Sequence, residues 1–237
     1  MRRVSAKFVP RFLIDDLKEN RVEISQELLA SANGNENFKN IITGDETWVY
    51  GYDVDTKVQS SQWLGKGSPR PRKARMSRSK IKVMLVVFFD WQGIVHHEFV
   101  RRGQMVNRQL YQEFLARLRY GMRRKRPELW VTRLGCCTTT MRRLTRRSSS
   151  AVIWQNIRCA PSTLSLDLAP VHFFLFPKHK TSLKGRCFQT IEEIQENVIR
   201  ELRAITESAF REAFQQWNKC WEQCFASRGD YFEGDSA

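Results

Sequence analysis

The chain has 237 residues, with 40 Lys and Arg against 25 Asp and Glu, and a net charge of +15 at neutral pH. Its 41% apolar content, with 15 Phe and 7 Trp, is enough to fill a core and excludes a wholly disordered chain. No apolar run approaches the roughly 20 residues of a bilayer-spanning helix, and Met1-Arg2-Arg3 is not followed by the apolar stretch of a secretory signal.

The six cysteines (Cys136, Cys137, Cys159, Cys187, Cys220 and Cys224) lack the paired C-x-x-C spacing of a zinc site and are read as reduced thiols. The positive charge is concentrated in two places. Lys66 to Lys82 carries eight basic residues and no acid, and Arg101 to Ser150 carries fourteen against Glu113 and Glu128. Their net charges of +8 and +12 leave about −5 for the remainder. Clustering at this density points to a polyanionic partner, of which nucleic acid is the common one; the alternative is a solvated basic face.

In chain order, Asp15 to Ala32 reads as a helix, with Asp15 or Asp16 available to cap it and Leu17, Ile24 and Leu28 recurring near helical spacing. Asn33-Gly34-Asn35 ends it. Ile41 to Tyr52 is a strand candidate rich in Ile, Val, Trp and Tyr. A polar loop follows from Asp53 to Ser79, punctuated by Gly65, Gly67, Pro69 and Pro71. The near-continuous apolar run Lys82 to Phe89 is expected to be a strand buried on both faces. Asp90-Trp91-Gln92-Gly93 turns the chain into a third strand, Ile94 to Val100. Asn107 is placed to cap a helix whose apolar stripe is Leu110, Phe114, Leu115 and Leu118.

After Trp130 the patterning fails, and 131–165 reads as a degenerate stretch without helical or strand period. Order returns near Leu166. Thr190-Ile191-Glu192-Glu193 is a capping box that opens a helix with Ile191, Ile194, Val198, Leu202 and Ile205 on one face. A second helix carries Phe210, Phe214, Trp217, Trp221 and Phe225, an aromatic stripe expected in a core or at a dimer face. Three strands, a helix, a missing strand and further helices define an α/β domain with a helical C-terminal end.

Three segments carry a family resemblance: Ile42-Thr43-Gly44-Asp45-Glu46-Thr47-Trp48; Leu166-Asp167-Leu168-Ala169-Pro170 followed by Phe173-Phe174-Leu175-Phe176-Pro177-Lys178; and Leu183-Lys184-Gly185 with Phe188. Together they resemble a mariner-type (Tc1/mariner) transposase over most of the chain, and Lys7-Phe8-Val9-Pro10 is similar to the family's linker. The resemblance implies a linker and lead-in helix at 1–39, then a ribonuclease-H-like catalytic domain at 40–237 with a mixed sheet flanked by helices. Within it, 53–79 is a basic loop insertion. In such transposases helix-turn-helix modules precede this point, so the chain is expected to be a catalytic-domain fragment.

The implied chemistry is Mg²⁺- or Mn²⁺-dependent cutting and rejoining of transposon ends. In-line attack on a phosphodiester uses two metals about 4 Å apart, held by converging carboxylates. By resemblance, Asp45 and Asp167 are the catalytic and metal-binding acids, and His172 stands where the family often has another Asp. The family's second acid lies in a fourth strand of the type W-L-L-H-H-D-N-A-P-A-H. Here there is no Asp or Glu from Leu129 to Leu166, while Arg133, Arg142, Arg143, Arg146, Arg147 and Arg158 fill the stretch.

The genetic code explains the loss. Read one base out of phase, codons allowed for Leu134 to Thr145 spell those eleven residues, with the Asp codon straddling Thr139 and Thr140. The stretch is expected to be the scar of compensating insertions and deletions, with the fourth strand disrupted. The expected protein is therefore a transposase remnant impaired in catalysis. Its DNA contacts would come from Lys66, Arg70, Arg72, Lys73, Arg75, Arg78, Lys80 and Lys82. Its partners would be DNA and a second copy of itself in the nucleus, with no membrane and no small-molecule substrate. The alternatives are a competent transposase, a non-catalytic DNA-binding or dimerising remnant, and an unstable pseudogene product. The family's domain also occurs fused to a SET-type histone methyltransferase, but no segment here resembles a SET domain.

Overall fold

The computed structural model describes residues 9, 12–32, 41–56, 58–69, 72, 74, 76–104, 106–128, 136–139 and 166–232, with the side chains of 31, 32, 108, 136–139 and 166 excepted. Its sheet has the order β3-β2-β1-β4, with β1 Ile41–Tyr50, β2 Lys82–Asp90, β3 Gly93–Val100 and β4 Cys136–Thr139. β1, β2 and β3 form an antiparallel meander in which Asp45 faces Val87 and Val87 faces His97, and a bulge falls between Phe88 and Phe89. The meander turns at Asp90, whose Oδ1 accepts the N–H groups of Gln92 and Gly93, both at 2.9 Å. The carboxylate of Asp90 is fully buried and is held by Arg126 at 2.6 and 3.0 Å.

β4 corrects the sequence reading. The stretch expected to have lost its strand still lays four residues parallel to β1, from Ile41↔Cys136 to Gly44↔Thr139. Strand pairing is made by backbone groups, which survive a change of side chains, and two of the four residues are β-branched Thr. The fourth strand is therefore short but laddered to β1.

Side chains alternate across a strand, so the sheet buries two separate cores. On one face Val83, Leu85, Val87 and Phe89 pack with Ile194, Val198, Phe214 and Trp217, under the helices α1 Asp15–Ala32, α4 Ile191–Arg203 and α5 Glu207–Ala226. On the other face Ile42, Val86 and Phe88 pack with Leu110, Phe114 and Leu118 of α2 Arg108–Lys125. β2 is thus buried on both sides, as its apolar run predicts.

The expected caps form. Asn107 Oδ1 accepts from Leu110 N–H at 2.9 Å, and Thr190 Oγ1 accepts from Glu193 N–H at 3.1 Å. Asp15 and Asp16 do not cap α1 but lie in its first turn, where carboxylates complement the helix dipole. Between sheet and C-terminal helices runs a tight series: a 3₁₀ turn Leu166–Leu168, a π-helical turn Val171–Leu175, and α3 Phe176–Leu183.

Candidate acid site and basic surface

Asp45 sits in the middle of β1 and is 6% exposed. The strand can pack there only because its neighbour is glycine. A Cβ on Gly44 would lie 2.2 Å from Phe88 Cδ1 and 2.6 Å from the Val87 carbonyl oxygen. Asp45 Oδ1 accepts the Glu46 backbone N–H at 2.8 Å, and Oδ2 lies 2.8 Å from His172 Nε2. His172 comes from the π-helical turn after Pro170, and its ring meets Phe176 edge-on at 5.5 Å. π turns of this kind recur at functional sites.

Burial, together with a hydrogen bond to and the charge of Asp45, pushes the Glu46 carboxyl up to about 8. At neutral pH Glu46 therefore keeps its proton beside Asp45. Glu46 Oε2 is buried without a hydrogen-bond partner.

Asp167 is held by an arginine. Its two oxygens take Arg21 Nη1 and Nη2, both at 2.8 Å, and the side chains are 10% and 5% exposed. Arg21 also donates Nε to the Gly229 carbonyl at 2.8 Å and lies 5.1 Å from the centre of the Tyr231 ring. Sequence reading had placed Asp167 with Asp45 as a metal ligand. In the structure its carboxylate has a buried guanidinium partner, and His172 stands against Asp45. The ladder Gly44↔Thr139 puts the chain that should carry the second acid alongside Asp45. Threonine stands at both 139 and 140, and residue 140 lies outside the described residues.

These residues do not fit a pair of hard divalent ions. Mg²⁺ is held by carboxylate oxygens that converge. Here one carboxylate has a protonated neighbour and faces an imidazole, and another is neutralised by arginine. Among the described residues, no group of three or more His, Cys, Asp and Glu is placed to hold a metal.

Of the eight basic residues named from sequence, Lys66, Arg72, Arg78, Lys80 and Lys82 are exposed, while Arg70, Lys73 and Arg75 lie outside the described residues. Arg78 pairs with Asp53 at 2.7 Å, and Lys82 Nζ lies 4.2 Å from the centre of the Trp48 ring. Arg101 and Arg102, not singled out from sequence, join Lys80 and Lys82 around a cavity of about 740 Å³ lined on its apolar side by Val83, Phe99 and Val100. Their nearness in space follows from the β2–β3 pairing, which local sequence does not show. A smaller cavity of about 320 Å³ runs beside Glu46 and is lined by Trp48, Tyr50, Arg78, Lys180 and Lys184. On the 53–79 loop, Val58 is 82% exposed and Trp63 is fully exposed.

Sheet order, strand directions and the acid at the centre of β1 define a ribonuclease-H-like domain. Its solved relatives are transposases. The chain aligns with 26% identity and a TM-score of 0.85 to the Mos1 mariner paired-end complex with Mn, covering 98% of this chain and 68% of that one. The Mos1 catalytic domain alone gives a TM-score of 0.76 over 95% of this chain and 100% of that one. In sequence it is 28% identical over 233 residues to the mariner Mos1 transposase of Drosophila mauritiana, and 23% identical over 235 residues to the histone-lysine N-methyltransferase SETMAR of Homo sapiens. Each alignment takes in 96% of this chain, but 66% of the first protein and 33% of the second. Residues 53–132 match the family described as transposase (partial DDE domain). The chain is thus similar to mariner-type transposases, and its fold is that of their catalytic domain.

Proposed function

We propose that this domain binds duplex DNA, pairs with a second copy of itself, and no longer cuts. The observation that carries the reading is the contact of Asp45 with His172 in a chain with no acid from Leu129 to Leu166. Two-metal hydrolysis depends on carboxylates that neutralise attacking and leaving oxygens, and losing such electrostatic stabilisation costs several kcal/mol, about 10²-fold or more in rate. Asp167 then serves the fold, tying the turn before His172 to α1 through Arg21.

DNA binding is supported by the exposed cations of the loop and β2, and by Arg101 and Arg102 beside them. Cations that meet phosphates give affinity without reading bases. Pairing is supported by Trp63 and Val58, exposed on a loop where a monomer has no use for them. With that role we propose that the protein acts in the nucleus.

The test is incubation of the purified chain with duplex transposon ends and Mg²⁺ or Mn²⁺. The expected result is a shifted band without nicks. Nicking by the unaltered chain that disappears in Asp45→Ala would overturn the reading and restore a competent transposase.

A further inference from the structure

The misfit between this site and a pair of hard ions has a positive counterpart. We propose that Asp45 and His172 together bind one borderline transition-metal ion, with Zn²⁺ or Co²⁺ strongly preferred over Mg²⁺. Three observations carry this.

First, the separation is right. Asp45 Oδ2 and His172 Nε2 are 2.8 Å apart. Two ligands bound to one tetrahedral ion at about 2.0 to 2.2 Å stand roughly 3.3 to 3.6 Å apart, so parting the two atoms by somewhat more than half an ångström, with a turn of the ring, admits the ion between them. Entry of the ion replaces the contact between these two atoms with two metal bonds, and the neutral imidazole then carries its single hydrogen on Nδ1.

Second, the ligand chemistry has changed. Imidazole nitrogen is a good donor for Zn²⁺, Co²⁺ and Ni²⁺, whereas Mg²⁺ favours oxygen and gives up its water reluctantly.

Third, the setting is built. Asp45 has an 8% exposed side chain on a central strand, its other oxygen is fixed by the Glu46 N–H, and the His172 ring is braced edge-on by Phe176. The His172 side chain is 29% exposed, which leaves the ion a path in and room for water to complete its shell. With two protein ligands the affinity is modest. The inference follows from the same Asp45–His172 contact as the loss of cutting, but it makes its own claim about binding.

The experiment needs no DNA. Zn²⁺ and Mg²⁺ are titrated separately by calorimetry into the unaltered chain, His172→Ala, His172→Asp and Asp45→Asn, each checked for native circular dichroism. Histidine ring signals are followed by NMR through the same titrations; with only 4 His in the chain, the His172→Ala spectrum assigns the one of interest. Zn²⁺ should shift the His172 ring, bind about one equivalent, and weaken by roughly tenfold or more in His172→Ala. His172→Asp should lose Zn²⁺ affinity and gain Mg²⁺ affinity, a reversal that a merely structural histidine would not produce. Zn²⁺ binding that is indifferent to His172→Ala, or Mg²⁺ bound as tightly as Zn²⁺ by the unaltered chain, would overturn the proposal. If Asp45→Asn fails to fold, the two His172 variants decide. Should Zn²⁺ bind as described and also support DNA cutting, this inference stands while the non-cutting reading falls.

Discussion

Arg21 is a charged side chain in a place where few charges survive. Only 5% exposed, it is satisfied by both oxygens of Asp167, the Gly229 carbonyl and the Tyr231 ring. Burial opposes its charge, while the hydrogen bonds and charge of Asp167 outweigh that and raise its pKa further. Such a pair adds little over an apolar replacement, but breaking it strands a buried charge. Arg21→Met should therefore cost about 3 to 5 kcal/mol in urea unfolding, and adding Asp167→Leu should recover much of that loss. A double variant no better than the single one would show that Asp167 has another use.

His179 is the second residue with a clear electrostatic consequence. It is 2% exposed with neither ring nitrogen hydrogen-bonded, and burial pushes its pKa down to about 4. The unfolded chain takes up the proton near pH 6.5, so stability from neutral His179 is complete above that pH and is lost as pH falls towards 4. The full span is worth about 3 kcal/mol. His179→Leu should unfold in urea with a smaller drop between pH 7 and pH 4.5 than the unaltered protein, by roughly 2 kcal/mol. Parallel pH profiles for the two proteins would refute the assignment.

At the scale of elements, β1 and β2 meet where Gly44 leaves no room for a side chain. Gly44→Ala would drive a methyl into Phe88 and into the Val87 carbonyl. Because backbone cannot swing aside, the variant should lose at least about 2 kcal/mol or fail to accumulate folded protein. Retained stability would mean the strands can slide.

Most elements were legible from sequence, because their signals are local. The span of α1, the two-sided burial of β2, the turn at Asp90 and the caps Asn107 and Thr190 each depend on residues within a few positions of one another. β4 was not, since its ladder runs through backbone that carries no pattern. The site was half legible. Asp45 stood out in its motif, but its partner is 127 residues away and the partner of Asp167 is 146 away. The only hint of His172 was a histidine standing where a resembling chain has an acid.

Taken whole, the molecule separates its charge from its cores. Apolar residues fill both faces of the sheet, and Lys80 just before β2, Lys82 at its start, and Arg101 and Arg102 of the β3–α2 turn gather around one cavity. That grouping should act as a unit on DNA. Each phosphate contact removed should lower the slope of log affinity against log salt by roughly 0.9, so replacing Lys80, Lys82, Arg101 and Arg102 with Ala should flatten it by about 3 to 4. Replacing Arg117 and Arg126, which are paired with Glu98 and Asp90, should leave the slope unchanged. Equal effects from both sets would mean that binding follows total charge and has no face.

The aromatic stripe of α5 has an optical consequence. Trp217 and Trp221 are buried with ring centres 4.8 Å apart and planes tilted by 57°. Two indoles so close and so oriented share their electronic excitation, and the folded domain should carry a paired positive and negative band in the far-ultraviolet dichroism. Trp63, wholly in solvent on its loop, contributes nothing to that couplet but should give the red, easily quenched part of the emission. The protein thus contains two native reporters. The couplet follows unfolding of the core, and the Trp63 emission follows whatever comes to cover the loop.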